Sequence, residues 1–369
     1  MALVKFGDIV KDVKCNVDRN KNPYEYYIAG DHMDSEDLTI HRFGNFVTDD
    51  VGPAFTRIFK PGQILYGSRR TYLKKVAVAD FEGICANTTF VLESKDESLF
   101  EQRLLPFIML SDDFTQWSVS HSKGSTNPYI LFSDLANYEF ELPSLSEQRV
   151  LADKLWAAYR LKESYKKLLK ATDEMVKSQF IEMFENCRRT SFKDCVTISK
   201  TSINPQPGTM YTLYSFPAYD NHQEPEVTDG GEIKSSKVVL KENVVLYNKL
   251  NVRLSRVWNI EKLNTQNNIC SSEFLPIKSK DNSIMTQQFI YQLLKSDYVT
   301  KKMVACSTGT SNSQKRITPS SLMDLEVPIP SIALQQQFVS IAEQADKSKF
   351  ELNKSIEAID QVIKSLINN

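Results

Sequence analysis

The sequence predicts an α+β protein made of two tandem mixed α/β domains, each followed by a long helix, with the two helices pairing as an antiparallel coiled coil about an approximate two-fold axis. Three observations predict it. LPSLSEQRVLADKL (Leu142–Leu155) returns as IPSIALQQQFVSIA (Ile329–Ala342), so that Pro143, Ser144, Leu145 and Gln148 match Pro330, Ser331, Ile332 and Gln335 at an offset of 187 residues. VKFGDIV (Val4–Val10) lines up with TSFKDCV (Thr190–Val196), pairing Phe6 with Phe192 and Asp8 with Asp194. In mid-domain Lys60 meets Lys241, Leu65-Tyr66 meets Leu246-Tyr247, and Cys85 meets Cys270. A period of about half the chain, drifting by a few residues, is a duplicated domain with loop insertions rather than a solenoid.

The expected order is a first domain over 1–145, a helix over 146–187, a second domain over 188–332 and a helix over 333–369. GQILYGS, KVAVADF, TTFVLES, KVVLKENVVLY and DLEVPIP read as strands from their period-two and β-branched runs. Lys60-Pro61-Gly62-Gln63 fits a type II turn, with proline presetting φ and glycine taking φ > 0. LLPFIMLSDDFTQWSVS and MTQQFIYQLLKSDYVTKKMV read as helices. From Ser146 to about Glu185 there is neither Gly nor Pro, and Leu151, Leu155, Ala158, Tyr165, Leu169, Val176 and Phe180 recur at three-and-four spacing, with Lys162 and Thr172 as polar interruptions. Phe338, Ile341, Ala345, Leu352, Ile356, Ile359, Ile363 and Leu366 repeat the design. At 1.5 Å per residue such a helix is roughly 60 Å long. Its single apolar stripe needs a partner, and the other copy is the nearest one. Chain order makes that pairing antiparallel, with one domain expected at each end of the paired helices.

The composition excludes several classes. With 369 residues, 41% hydrophobic and 25% charged, the chain is globular rather than disordered. MALVKFGDIVKDVK has no signal-peptide core and no run of eighteen apolar residues occurs, which reads as a cytosolic protein. Cys15, Cys85, Cys187, Cys195, Cys270 and Cys306 form no C-x-x-C pair, and His32, His41, His121 and His222 share no metal-ligand spacing, so no metal site is expected. No phosphate loop and no nucleophile elbow is present. Asn127-Pro128-Tyr129 lacks one proline of the amino-methyltransferase motif and no glycine-rich cofactor loop precedes it. Asp49-Asp50 and Asp112-Asp113 are ordinary loop or helix-start pairs.

The net charge of −1 averages over regions of different sign. Val51–Ala79 contains no acid but holds Arg57, Lys60, Arg69, Arg70, Lys74 and Lys75; Tyr298–Met323 contains none but holds Lys301, Lys302, Lys315 and Arg316. One such stretch reads equally as a solvated face; its recurrence in both copies favours a shared polyanionic ligand.

The order domain, long helix, domain, long helix, each helix announced by a proline turn and an E-Q or Q-Q pair, resembles the specificity subunit of type I restriction-modification systems. The resemblance covers the whole chain, including FKPGQILYGSRRTYLKKVAVADFEG. It implies two target recognition domains reading an asymmetric bipartite sequence of double-stranded DNA, and helices that act as a ruler and dock two modification methyltransferase subunits. It further implies no catalysis by this chain, with S-adenosylmethionine, ATP and magnesium carried by methyltransferase and motor-nuclease partner subunits. Two departures, Glu147 against Leu334 and Pro61-Gly62 against Glu242-Asn243, imply different half-sites.

Reading DNA takes cations for phosphates and forked or amide donors for base edges. The candidate set in the first copy is Arg57, Lys60, Tyr66, Arg69, Arg70, Lys74, Lys75 and Lys123, and in the second Tyr247, Asn248, Lys249, Asn251, Arg253, Arg256, Lys315 and Arg316. The loops His121–Asn127 and Cys306–Arg316 correspond, and read either as backbone-approaching segments or as flexible connections. Arg160, Lys167, Lys170 and Lys177 on the outer helix face read as solvated or as a methyltransferase dock. The competing reading is a protein-interaction scaffold whose domains do not bind DNA.

Overall fold

The computed structural model describes residues 2–18, 21–263, 267–309 and 314–368. It divides into two compact units, one of residues 1–166 with 353–369 and the other of residues 167–352. The division falls inside the long helices Leu145–Phe184 and Ile332–Ile367, so each unit holds one copy of the globular fold and a segment of both helices.

In the first unit, Val10–Asp12, Thr89–Ser94, Ile64–Gly67 and Val76–Val78 form an antiparallel sheet in that spatial order. A second sheet runs Gly44–Asn45, Tyr26–Ile28, Gly83–Ala86, Phe55–Phe59, with its one parallel pair between Tyr26–Ile28 and Gly83–Ala86. The second unit repeats both. Val196–Ile198, Phe274–Ser279, Val244–Asn248 and Val257–Ile260 make the first sheet. The second sheet again pairs its central strands, Met210–Tyr214 and Asn268–Ser271, in parallel. The repeated Phe6 and Phe192 are fully buried, and their amides donate to Tyr138 O at 2.7 Å and Leu325 O at 2.8 Å. The type II turn is present, with Gly62 at φ +86° and Gln63 N donating to Lys60 O at 3.2 Å.

Three expected elements are broken. Each mid-domain helix is interrupted by a serine: Leu105–Leu110 stops before Ser111, whose Oγ accepts from Phe114 N at the start of Asp112–Ser120. Gln287–Lys295 stops before Ser296, whose Oγ accepts from Val299 N at the start of Asp297–Cys306. A serine that satisfies an orphan amide starts a new helix more readily than it continues an old one. The run KVVLKENVVLY likewise splits into Lys237–Val239 and Val244–Asn248, which belong to different sheets.

The helices pair as the apolar stripe requires, and every stripe residue is buried or half-buried. In the second unit Asp173 meets Lys349 at 3.0 Å, while Phe180 and Phe184, further along the first helix, pack on Phe338, earlier in the second. Ascending one helix descends the other, which is the antiparallel sense. In the first unit Lys162 meets Asp360 at 2.6 Å. Lys162 and Lys349 are 187 residues apart, as are Asp173 and Asp360, so the two ion pairs are one interaction written twice.

The repeated glutamine is a buried clamp at each helix start. Gln148 Nε2 donates to Leu99 O and Pro143 O while its Oε1 accepts from Glu101 N. Gln335 Nε2 donates to Ile284 O and Pro330 O while its Oε1 accepts from Thr286 N. Hydrophobic burial leaves these loop groups without water, and the amide supplies both the donor and the acceptor they lack.

Candidate nucleic-acid interface

In each copy the basic loop and the polar loop are hydrogen-bonded into one platform. In the first copy the strand Ile64–Gly67 delivers the chain to Ser68, whose N and Oγ donate to Thr88 O and whose O accepts from Ile130 N. Arg70 then turns left-handed (φ 50°, ψ 56°), donating its N–H to Pro128 O at 2.7 Å, and a 3₁₀ turn follows over Thr71–Leu73. Lys123 and Tyr129 exchange backbone bonds in both directions, at 2.7 and 2.9 Å, and Tyr129 also bridges Arg69. A left-handed non-glycine residue costs about 1 kcal/mol or more, so two independent loops hold Arg70 where it is.

The second copy repeats the backbone bonds of the platform. Lys249 N donates to Glu273 O and Ile317 N to Lys249 O. Asn251 is left-handed (φ 55°, ψ 53°), donates its N–H to Lys315 O at 2.7 Å, and leads into the 3₁₀ turn Val252–Leu254. Thr308 and Arg316 exchange backbone bonds at 2.9 and 2.8 Å, and Arg316 bridges Leu250. Of the expected polar loop, residues 310–313 lie outside the described residues.

The platforms display the charges unequally. Arg69 and Arg70 are exposed and make no side-chain hydrogen bond or ion pair among the described residues. Lys123 is exposed and paired with Asp134 at 3.0 Å. On the second platform Arg253 is exposed with its Nε donating to Asn251 Oδ1 at 3.3 Å, and Arg316 donates to Glu273 at 2.9 Å. Lys249, Asn251 and Lys315 are half-buried there.

Eight of the expected contact residues are elsewhere or engaged. Tyr66, Tyr247 and Asn248 are in the core, at 1%, 0% and 0% exposure, and burial pushes the Tyr66 phenol up to about 12. Asn248 shapes the loop instead, accepting from Arg256 N and donating to Leu250 O and Asn251 O. Arg57 lies on Phe55–Phe59 in a buried pair with Asp12 at 2.7 Å. Lys60 precedes the strand that Arg69 follows, so it stands at the other end of the sheet. Lys74 is spent on Asp112 at 2.9 Å and on Leu110 O, and Lys75 donates to Gly30 O. Arg256 forks onto both oxygens of Asp220, at 2.8 Å each, beneath the Phe216 ring; the guanidinium holds that carboxyl below its usual range.

Two exposed aromatics escape the sequence reading: Tyr72, at 54%, and Tyr129, at 43%, stand on the first platform. The signal for Tyr72 is its place two residues beyond Arg70 in an acid-free run. Asn127-Pro128-Tyr129 is the strap that supplies the backbone partners of Arg69, Arg70 and Lys123.

One cluster formed without any sequence spacing to announce it. Asp37, His41 and Glu163 bring ligand atoms within 4.8 Å of one another. The Lys166 ammonium sits among them, 3.0 Å from Asp37 and 2.8 Å from Glu163. Burial raises the Asp37 carboxyl, but bonds from the Tyr159 hydroxyl, Thr39 N and Lys166 outweigh it and bring the group down to about 2. The cluster therefore holds a protein cation, fastening the Asp37 loop to the first helix.

The family model for the type I restriction modification DNA specificity domain matches residues 4–171 and again residues 186–361. The type I restriction enzyme EcoDI specificity subunit of Escherichia coli is 29% identical over 148 residues, which is 40% of this chain and 32% of that protein; the match spans about a third of the relative's length. Among solved structures, a chain from work on complex assembly and conformational transition of the type I R-M system superposes over 99% of this chain and 96% of its own, with a TM-score of 0.57 at 16% identity. The type I restriction-modification S subunit of M. genitalium covers 100% and 96%, with a TM-score of 0.57 at 12% identity. Among the described residues no helix is long and apolar enough to cross a membrane.

Proposed function

Because the chain belongs to the family of type I restriction modification DNA specificity domains, we propose that it is the noncatalytic subunit that selects an asymmetric bipartite DNA target, each platform contacting one half-site. The observation that carries this is the duplicated platform: two loops distant in sequence, pinned by the same set of backbone bonds in both copies, displaying Arg69, Arg70 and Lys123 in one and Arg253, Lys315 and Arg316 in the other. Loops held by their own backbones place cations without further ordering on binding, which is what recognition of a rigid duplex requires. Methyl transfer belongs to methyltransferase subunits docked on the paired helices, bringing S-adenosylmethionine. Cleavage belongs to motor-nuclease subunits that use ATP and magnesium. The helices set the gap between half-sites.

The test is DNA binding by the chain assembled with its methyltransferase. Replacing Arg69, Arg70, Arg253 and Arg316 by alanine should weaken binding at least tenfold and flatten its salt dependence, by up to about 0.9 in logarithmic slope for each phosphate left without its cation. Unchanged binding and slope would remove the platforms from the interface, and an assembled wild type that binds no DNA would favour the scaffold.

A further inference from the structure

The two platforms share a backbone but exchange side chains at aligned positions. The backbone partners fix the alignment: Tyr129 bonds Lys123 and bridges Arg69 as Arg316 bonds Thr308 and bridges Leu250. The carbonyls of Thr88 and Glu273 receive the equivalent amides of Ser68 and Lys249. Arg316 therefore stands where the first copy has Tyr129, and Glu273 where it has Thr88.

Resting on the DNA reading above, we propose that Arg316, held by Glu273, reads a guanine in the second half-site, and that Tyr129 at the same station makes the first half-site different. Arg316 Nη2 donates to Glu273 Oε1 at 2.9 Å while the side chain remains 58% exposed. The other Glu273 oxygen is buried and accepts no hydrogen bond among the described residues, so this carboxylate depends on Arg316 for compensation and holds it in turn. A guanidinium anchored at one nitrogen keeps its other donors for a ligand and has less freedom to turn, which suits the O6 and N7 acceptors of guanine. An unrestrained cation such as Arg69 or Arg70 suits phosphate, where direction matters less. Tyrosine offers one hydroxyl and an apolar ring, and cannot reproduce a two-donor contact. Exchanging the residue at this station thus changes which base pair is accepted while leaving the platform intact.

The experiment measures methylated motifs, and relative affinities for a panel of single-base-pair target variants, using the assembled methyltransferase complex. Arg316→Ala should lose about tenfold or more of its preference at one G·C pair of the second half-site, with the first half-site unchanged. Glu273→Gln, which keeps the residue's size, should loosen the same position to a lesser degree. Transplanting the pair as Thr88→Glu with Tyr129→Arg should alter the first half-site and leave the second as it was. Uniform weakening across the panel by Arg316→Ala, or unchanged discrimination in Glu273→Gln, overturns the assignment. A wild-type complex that yields no bipartite motif fails at the earlier reading instead.

Discussion

The two copies of the globular fold agree on their hydrogen-bonded frame and disagree on their charges. Phe6 and Phe192, Tyr66 and Tyr247, Cys85 and Cys270, and Gln148 and Gln335 occupy equivalent buried places. Yet the buried ion pair Asp12–Arg57 of the first copy falls at register positions that hold Ile198 and Val238 in the second: Asp12 pairs across from Leu92 as Ile198 does from Ile277, and Arg57 from Cys85 as Val238 does from Cys270. The helix surfaces differ as well. Tyr159 accepts the Leu38 amide and donates to Asp37, and the cavity beside it measures about 40 Å³. At the equivalent place the second copy has Asp346, and a groove of about 550 Å³ stays open over Phe180 and Phe338. Apolar and backbone-satisfying residues recur between the copies; of the ion pairs, the cross-helix pair Lys162–Asp360 recurs as Lys349–Asp173, while Asp12–Arg57 is replaced and so marks where the copies have diverged.

The comparison breaks most readily at Arg57. Asp12 has 2% side-chain exposure, and burial lifts its carboxyl above the usual range despite the guanidinium beside it. Arg57→Ala strands that charge and should cost about 3–5 kcal/mol in urea unfolding of the first copy. The pair Asp12→Ile with Arg57→Val, which installs the second copy's residues, should lie within about 1 kcal/mol of wild type or above it. A raised folded-state carboxyl makes stability fall as pH rises, so the Arg57→Ala deficit should shrink on acidification as Asp12 takes up a proton. A double variant as damaged as the single one would mean that the ion pair is part of the frame after all.

The glutamine clamps sharpen the comparison from the other side. Each amide makes three hydrogen bonds to backbone at 0–1% exposure. Gln148→Ala and Gln335→Ala should each cost about 2–3 kcal/mol, because the loop groups left behind are sealed from water. The two costs should agree to within about 1 kcal/mol, measured on the same urea transitions. A large cost in one copy alone would show that the repeated motif does different work in its two places.

Both frame residues and helices were legible because duplication marks them: the apolar and glutamine residues retained at the offset, such as Phe6 and Phe192 or Gln148 and Gln335, are buried, whereas retained charged residues such as Asp8 and Asp194 are exposed. The same logic, applied to Leu65-Tyr66 and Leu246-Tyr247, would have kept the tyrosines out of the interface. Period-two reading could not place them, because the strand is covered on both faces. Leu65 packs with Ile28 and Val91 on one side while Tyr66 packs with Phe6 and Phe114 on the other. Charge reading failed at Arg57, Lys74 and Arg256 for a different reason. Their partners Asp12, Asp112 and Asp220 lie between 36 and 45 residues away, and only the fold brings them together. Arg69, Arg70 and Arg253 were legible as surface cations, and among the described residues none of them has a carboxylate within ion-pair distance.

The smallest effect concerns the ion pair that the helices repeat. Lys162 faces Asp360 with 13% side-chain exposure and makes no other ion pair among the described residues. Lys349 faces Asp173 with 29% exposure and has a second carboxylate, Asp346, at 3.1 Å. Burial lowers both lysines' tolerance of isolation, but the second retains a counter-charge when its cross-helix partner is removed. Asp360→Ala should therefore cost about 1–2 kcal/mol, and Asp173→Ala a few tenths. Double-mutant cycles with Lys162→Met and Lys349→Met isolate the two couplings from the helix-propensity changes that accompany any substitution to alanine. Equal couplings would mean that Asp346 contributes nothing to Lys349. A larger coupling in the second pair would reverse the ranking and show that Asp346 does not compensate for the loss of Asp173.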